Sequence, residues 1–248
     1  MKLRLIACAA LVLSLSACSS LTGGRFDLGT AISAGGDVVK AGTLDDKQMQ
    51  SLGLQSAKQS DSTNQVAPAG SKYAARLQKI TSKYTREDGL KLEFKAYLVQ
   101  DVNAFALPNG SVRVYAGLMD KMNDDELLFV IGHEIGHVKL GHSKAKMQMA
   151  YGASALRKGV SSSNSMTGVV AASDLGGGFL EEVINSQFSQ SEEEASDDYG
   201  LAFLKKHKLP ALAASSALMK LAKISGGKHS FLSSHPDPED RAKRIGGK

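Results

Sequence analysis

NDDELLFVIGHEIGHVKLGH, residues 123–142, decides how the rest of the chain is read. It opens as a helix should. Asn123 can cap, Asp124, Asp125 and Glu126 place acids in the electropositive first turn, and Glu126 stands where a capping box needs it. Leu127, Leu128, Val130, Ile131, Ile135 and Val138 give the helix an apolar face, and Gly141 can end it. Inside this helix His133, Glu134 and His137 spell H-E-x-x-H. Positions i and i+4 lie one turn apart on one face, so the two imidazoles can reach the same zinc ion at about 2 Å. Glu134 follows the first histidine by one residue, which points it at a metal-activated water rather than at the metal. The five-residue pattern arises by chance in roughly one chain per hundred of this length. Here it sits in a capped helix with Ile131 and Ile135 beside the histidines, a poor setting for two surface histidines. Gly132 and Gly136 keep the helix slim next to the metal.

A catalytic zinc needs a third protein ligand. His142 lies five residues past His137, an offset that turns it away from the ligand face of a continuous helix. It reads as a helix-end cation or as a residue supporting a ligand. FSQSEEEASDDYGLAFL, residues 188–204, is the other candidate: acidic, with Phe188, Ala195, Tyr199 and Phe203 at helical spacing. Most acidic runs are solvated faces, so a ligand among Glu192, Glu193 and Glu194 has to lie on the buried side. Glu193 and Asp197 share a face; one can bind metal while the other holds a ligand histidine in its tautomer.

H-E-x-G-H followed by S-x-x-x-E-x-x-S-D-x-x-G (Ser189 to Gly200) resembles the zinc metallopeptidases of the HtpX and CAAX prenyl-protease type, in which a downstream glutamate completes the site. Among them the chain is most similar to the soluble periplasmic lipoprotein members. The resemblance implies a zincin-like fold, polypeptide substrates, one Zn2+ per chain with ligands His133, His137 and Glu193, Glu134 as general base, and Asp197 supporting the ligands. Ser196 stands where the family usually has alanine, Ala195 where glutamate is common, and Gln190 where many members have arginine. DVNAFALPNGSVRVYAGLM, residues 101–119, resembles the family's strand-turn-strand, implying that Asn103, Ala104, Phe105 and Ala106 line the cleft and pair with substrate backbone. SHPDPEDRAKRI, residues 234–245, resembles its closing H-P-x-x-x-x-R element, with His235 and Arg241 in the matching places. A histidine there either closes the open zinc position or stabilises the oxyanion.

The N-terminus, MKLRLIACAALVLSLSAC, reads as a bacterial secretion signal. Lys2 and Arg4 are its basic region, and Leu5 to Leu15 is too short to span a bilayer. LSAC at Leu15–Cys18 resembles a lipobox, which makes Cys18 the lipidated first residue of the mature chain, and Ser19 fits outer-membrane sorting. The expected organisation is a signal peptide over 1–17, a tether over 18–30 and one domain over 31–248, facing the periplasm from the outer membrane. Removing Lys2 and Arg4 takes the net charge from +5 to 5 − 2 = +3, which gives no argument for nucleic-acid binding. With Cys8 removed and Cys18 lipidated, no thiol is left for a disulfide, so packing and metal hold the domain.

Elsewhere the patterns predict an α+β domain, mainly helical, with a small antiparallel sheet of about three strands. Residues 31–66 read as one or two helices wrapping the core, with a capping box at Thr43–Asp46. Tyr73, Leu77, Ile80 and Tyr84 form a core-facing stripe. Strands are expected over 90–99 and 103–117, the second broken by a turn at Pro108-Asn109-Gly110. Helices are expected over 143–157, 179–207 and from Pro210 to Lys223, with one more after Pro238. The small-residue segment 159–178 is a lid or a plain linker. The rival functional class is a latent lipoprotein of the same fold that works as an assembly factor or chaperone.

Overall fold

The computed structural model describes residues 44–157, 178–224 and 230–248. The expected leader, the tether with Cys18, and all of 159–178 except Gly178 lie outside the described residues. Helix α1 is Asp46–Thr63 and α2 Lys72–Thr81, followed by a 3-10 turn, Ser82–Tyr84. A short hairpin, β1 (Arg86–Glu87) and β2 (Leu90–Lys91), precedes β3 (Glu93–Tyr97), β4 (Ala104–Ala106) and β5 (Ser111–Tyr115). Then come α3 (Ala116–Lys121), α4 (Asp124–Lys139), α5 (His142–Arg157), α6 (Gly178–Asn185), α7 (Gln190–Lys206), α8 (Leu212–Ala222), α9 (Phe231–Ser234) and α10 (Pro238–Gly246). The expected α+β class, mainly helical, is what forms.

The expected three strands lie in the order β3-β5-β4. β4 and β5 are antiparallel, with Ala104 opposite Val114 and Ala106 opposite Val112. Their turn uses Gly110 at φ +85°, where an added Cβ would stand 2.1 Å from the Lys91 carbonyl oxygen. β3 pairs with β5 in parallel, not antiparallel as expected. The chain leaving β3 crosses to the far edge before entering β4, so the hairpin brings β5 back into the centre. β4 is left as an edge strand.

The second difference concerns α1. Asp45 caps it, in a reciprocal box with Gln48: Asp45 Oδ1 accepts from the Gln48 amide and Gln48 Oε1 from the Asp45 amide, while residues 31–43, Thr43 included, lie outside the described residues. The helix joins a core rather than wrapping one. Met49 and Leu52 are buried with Tyr97, Phe105, Leu107, Tyr115 and Met147. Gly53, Ser56, Ala57 and Ser60 make up the rest of that face and are small enough to let the helix lie close.

The main core is built on α4, whose Leu127, Phe129, Val130, Ile131 and Ile135 pack with Leu118, Leu201, Phe203, Leu204 and Leu218. The capping box at Asn123 and Glu126 forms as expected, and Gly141, at φ +84°, follows the helix end. α4 and α7 cross at very short range through glycines. A Cβ on Gly136 would lie 3.0 Å from Tyr199 Cβ, and one on Gly200 would lie 3.2 Å from the His133 amide nitrogen. That crossing sets the site, because it lays the buried face of α7 directly on the histidines of α4. Among the described residues no helix is long and apolar enough to cross a membrane.

Candidate metal centre

His133, His137, Glu193 and His235 converge, fully buried, with one potential ligand atom from each lying within 4.8 Å of all the others. His137 Nε2 is 3.0 Å from His133 Nε2 and 3.3 Å from Glu193 Oε1. His235 Nδ1 is 2.8 Å from Glu193 Oε1 and 3.3 Å from His133 Nε2. A tetrahedron of donors about 2.0–2.1 Å from a zinc ion has edges of about 3.3 Å; these four separations of 2.8–3.3 Å, with the 3.7 Å from His133 Nε2 to Glu193 Oε2, bracket that edge.

The donor chemistry agrees with the spacing. His133 Nδ1 donates to Asp197 Oδ1 at 3.0 Å, which leaves Nε2 a bare lone pair facing the cluster. His137 Nδ1 lies 3.1 Å from His142 Nδ1, which can accept its proton and leave a second bare Nε2 facing the first. Two lone pairs 3.0 Å apart beside a carboxylate repel unless a cation lies between them.

Asp197 in turn takes two bonds from Arg241, Nε to Oδ2 at 2.8 Å and Nη2 to Oδ1 at 2.7 Å, while Arg241 Nη1 touches Glu193 Oε2. Arg241 therefore ties together both acids of α7 that face the histidines. The acidic triplet resolves cleanly. Glu192 accepts from the Ser189 amide in the helix cap, Glu194 is half-buried and bonded by Gln190, and only Glu193 is buried. Of the two readings of His142, support of a ligand matches the geometry. Its Nδ1 lies 3.1 Å from His137 Nδ1 and 3.3 Å from Ser196 Oγ, and burial lowers its pKa.

Residues 71–248 match the family model described as peptidase family M48. The chain belongs to peptidase family M48. It is 39% identical over 239 residues to the metalloprotease LoiP of Escherichia coli (strain K12), covering 95% of this chain and 94% of LoiP. It is 38% identical over 243 residues to the metalloprotease YcaL of the same organism, covering 97% of this chain and 94% of YcaL. A shorter stretch of 78 residues, 29% of this chain and 28% of the relative, is 37% identical to a protease HtpX homolog of Sulfurovum sp. (strain NBC37-1). This M48 chain is a zinc metallopeptidase, a hydrolase of polypeptides, and its buried cluster suits one zinc ion.

The M48 site has one further acid. Glu134 is buried, its Oε1 has no hydrogen-bond partner among the described residues, and His235 Nε2 stands 3.4 Å from that oxygen. Burial pushes its pKa up to about 7, opposed by the charge of His133 and helped by that of Glu193. Burial also lowers His137 well below its usual value and takes His235 down to about 4, so both rings are neutral and free to ligate at neutral pH. For Asp197, burial acts upward, but the Arg241 and His133 hydrogen bonds outweigh it and keep the carboxyl ionised.

Glu134 faces a small cavity of about 20 Å3, room for about one water, lined by β4, α5, α6, Phe188 and His235. Asn103, Ala104, Phe105 and Ala106 are all buried, and β4 has a strand neighbour on one side only. Two of its amides are engaged. Ala104 N–H donates to Asn103 Oδ1 at 2.9 Å, and Ala106 backbone hydrogen-bonds Glu134.

Three contributors escape a reading of spacing alone. Phe188 precedes α7 rather than lying in it, and stacks on His137 with ring centres 3.7 Å apart. Phe231, on the unanticipated α9, stacks on His235 at 4.1 Å. Lys146, 6% exposed, places Nζ 3.8 Å from the Phe188 ring centre. Histidines held by aromatic faces leave no periodic trace, and a lysine on a predicted helix reads as solvated.

Proposed function

We propose that the protein is a periplasmic zinc endopeptidase, anchored at the outer membrane through lipidated Cys18, that hydrolyses exposed or misfolded envelope polypeptides. The observation that carries the chemistry is the convergence of His133, His137 and Glu193 with Glu134 beside them, whose Oε1 has no hydrogen-bond partner among the described residues. In this reading those three are the zinc ligands, and Asp197 and Arg241 hold them in place. Zinc supplies a Lewis acid that acidifies a water and polarises the scissile carbonyl. Glu134 takes the water's proton as its oxygen adds to the carbonyl carbon, then delivers that proton to the leaving nitrogen as the C–N bond breaks. Burial, which raises the Glu134 pKa in the metal-free site, favours the protonated form that hands the proton on. The edge at Asn103–Ala106 receives the substrate in extended form. The envelope location is supported by the leader and lipobox pattern at Cys18.

Glu134→Gln tests this directly. Cleavage of an unfolded protein substrate should fall by about 10²–10⁴-fold while bound zinc stays near one per chain. Unchanged cleavage would remove Glu134 as the base.

One observation favours a latent resting form of the same enzyme. His235 sits among the donors as a fourth group, and catalytic zinc sites keep that position open. Cleavage then requires His235 to withdraw, and a protein held closed could act as an assembly factor or chaperone. His235→Ala separates the two roles of this residue: faster hydrolysis means that it blocks the site, whereas slower hydrolysis at unchanged zinc content means that it assists the oxyanion.

A further inference from the structure

Lys146 has no counter-ion among the described residues. It is buried on α5, its ammonium meets the face of Phe188, and no carboxylate among the described residues forms an ion pair or hydrogen bond with it. Glu134, Glu193 and Glu192 act on it only through their charge, and burial lowers its pKa to about 8, so it is largely protonated at neutral pH. A buried ammonium is strongly disfavoured unless something pairs with it. Its position is equally specific: Lys146 and Glu134 line the same small cavity, with Phe105, Leu107, Val183 and Phe188 as apolar walls. Ser143, three residues earlier on α5, adds a hydroxyl to that lining. A group that reaches Lys146 therefore lies next to the bond that Glu134 works on.

We propose that Lys146 is a specificity-determining residue whose ammonium takes a carboxylate of the polypeptide substrate beside the scissile bond. The cavity holds about one water as it stands and His235 lines it, so the carboxylate enters as His235 withdraws; the apolar walls favour a single charged group on a short stem, which gives the ammonium the partner that the described residues do not. The carboxylate can belong to an acidic side chain or to the free C-terminus of the chain being cut. The inference rests on the peptidase reading of the cleft.

The test uses unfolded peptides that differ in one residue, Glu against Gln, walked through the positions on both sides of the cut. A second pair ends in a free carboxylate or an amide. Wild type should show kcat/KM at least about tenfold higher for Glu at one position, or for the free terminus at one length, which identifies the source of the carboxylate. Lys146→Met should bring that ratio close to one while zinc content is kept, and Lys146→Glu should turn the preference towards a lysine peptide. Equal loss for all peptides would make Lys146 merely structural and overturn the proposal, as would a wild-type ratio near one throughout. Should Lys146→Met fail to fold, Lys146→Arg must keep the preference. Anisotropy of labelled Glu and Gln peptides on Glu134→Gln protein gives the same ratio without turnover, and equal affinities overturn the proposal. Whether any peptide is cut decides the peptidase reading; whether the ratio depends on Lys146 decides this one.

Discussion

Two ionic clusters, each centred on a buried side chain, lie in this fold, and they are wired in opposite ways. Around Arg113, on β5, five donor-acceptor contacts account for the whole guanidinium. Nε and Nη2 go to Asp61, Nη2 also to Glu93 Oε2, and Nη1 to the Glu93 and Val112 carbonyls. Each oxygen of Asp61 takes a second donor, Tyr97 Oη at 2.6 Å and Lys95 Nζ at 2.7 Å. Around His133 the acceptors outnumber the donors. Nε2 lone pairs face one another, and Glu134 Oε1 has no partner. The first cluster is complete in itself and fastens α1 to the sheet. The second is complete only with a cation and a proton source. Buried polar groups are almost always satisfied, so a cluster whose own atoms cannot satisfy it marks a site, and one that can marks a fastening.

Substitutions should therefore separate stability from metal binding. Arg113→Ala empties a buried position and leaves the partly exposed Asp61 without its main partner, and should lower unfolding free energy by about 3 kcal/mol, read by denaturant titration of the zinc-loaded protein. The zinc affinity of the folded fraction should hardly move. A large loss of affinity there would mean that the two clusters are coupled and would break the comparison. Asp197→Asn goes the other way. It keeps the shape but weakens the acceptor that fixes the His133 tautomer and the anion that Arg241 holds. Zinc affinity should fall by about 10–100-fold in a competition titration with a chelator, with a smaller change in the stability of the apo protein. Affinity within twofold of wild type would assign Asp197 to the fold rather than to the site.

How much of this the sequence carried follows from the same contrast. The His133–His137 helix, its caps and its terminating glycine were legible because periodicity and capping are local. Glu193 was legible through a resemblance and through its spacing from Asp197; only the crossing at Gly136 and Gly200 makes it buried. The parallel pairing of β3 with β5 was not legible, because register within a strand says nothing about which neighbour it takes. Nor was the Arg113 fastening, whose partners are separated by 52 and 20 residues. Phe188, Phe231 and Lys146 came from ring contacts and burial, properties of the assembled site rather than of any one segment.

The smallest expected effect is one of pH, and it sharpens what a complete cluster means. Burial pushes the Asp61 carboxyl upward, but the hydrogen bonds from Arg113, Lys95 and Tyr97 outweigh it and leave its pKa below the ordinary 3.8. The unfolded chain therefore takes up this proton first. The stability that Asp61 contributes is whole above about pH 4 and is lost as pH falls through its lowered folded value. Asp61→Asn has no such proton to gain. Wild type and variant should differ by a constant amount in unfolding midpoint from pH 6 down to about 4, and the gap should narrow below that. The zinc ligands also protonate in acid, but they do so in both proteins, so the difference between the two curves isolates Asp61. A gap that stays constant down to pH 3 would mean that Asp61 titrates as an ordinary surface carboxylate, and that the closed network around Arg113 does not form in solution.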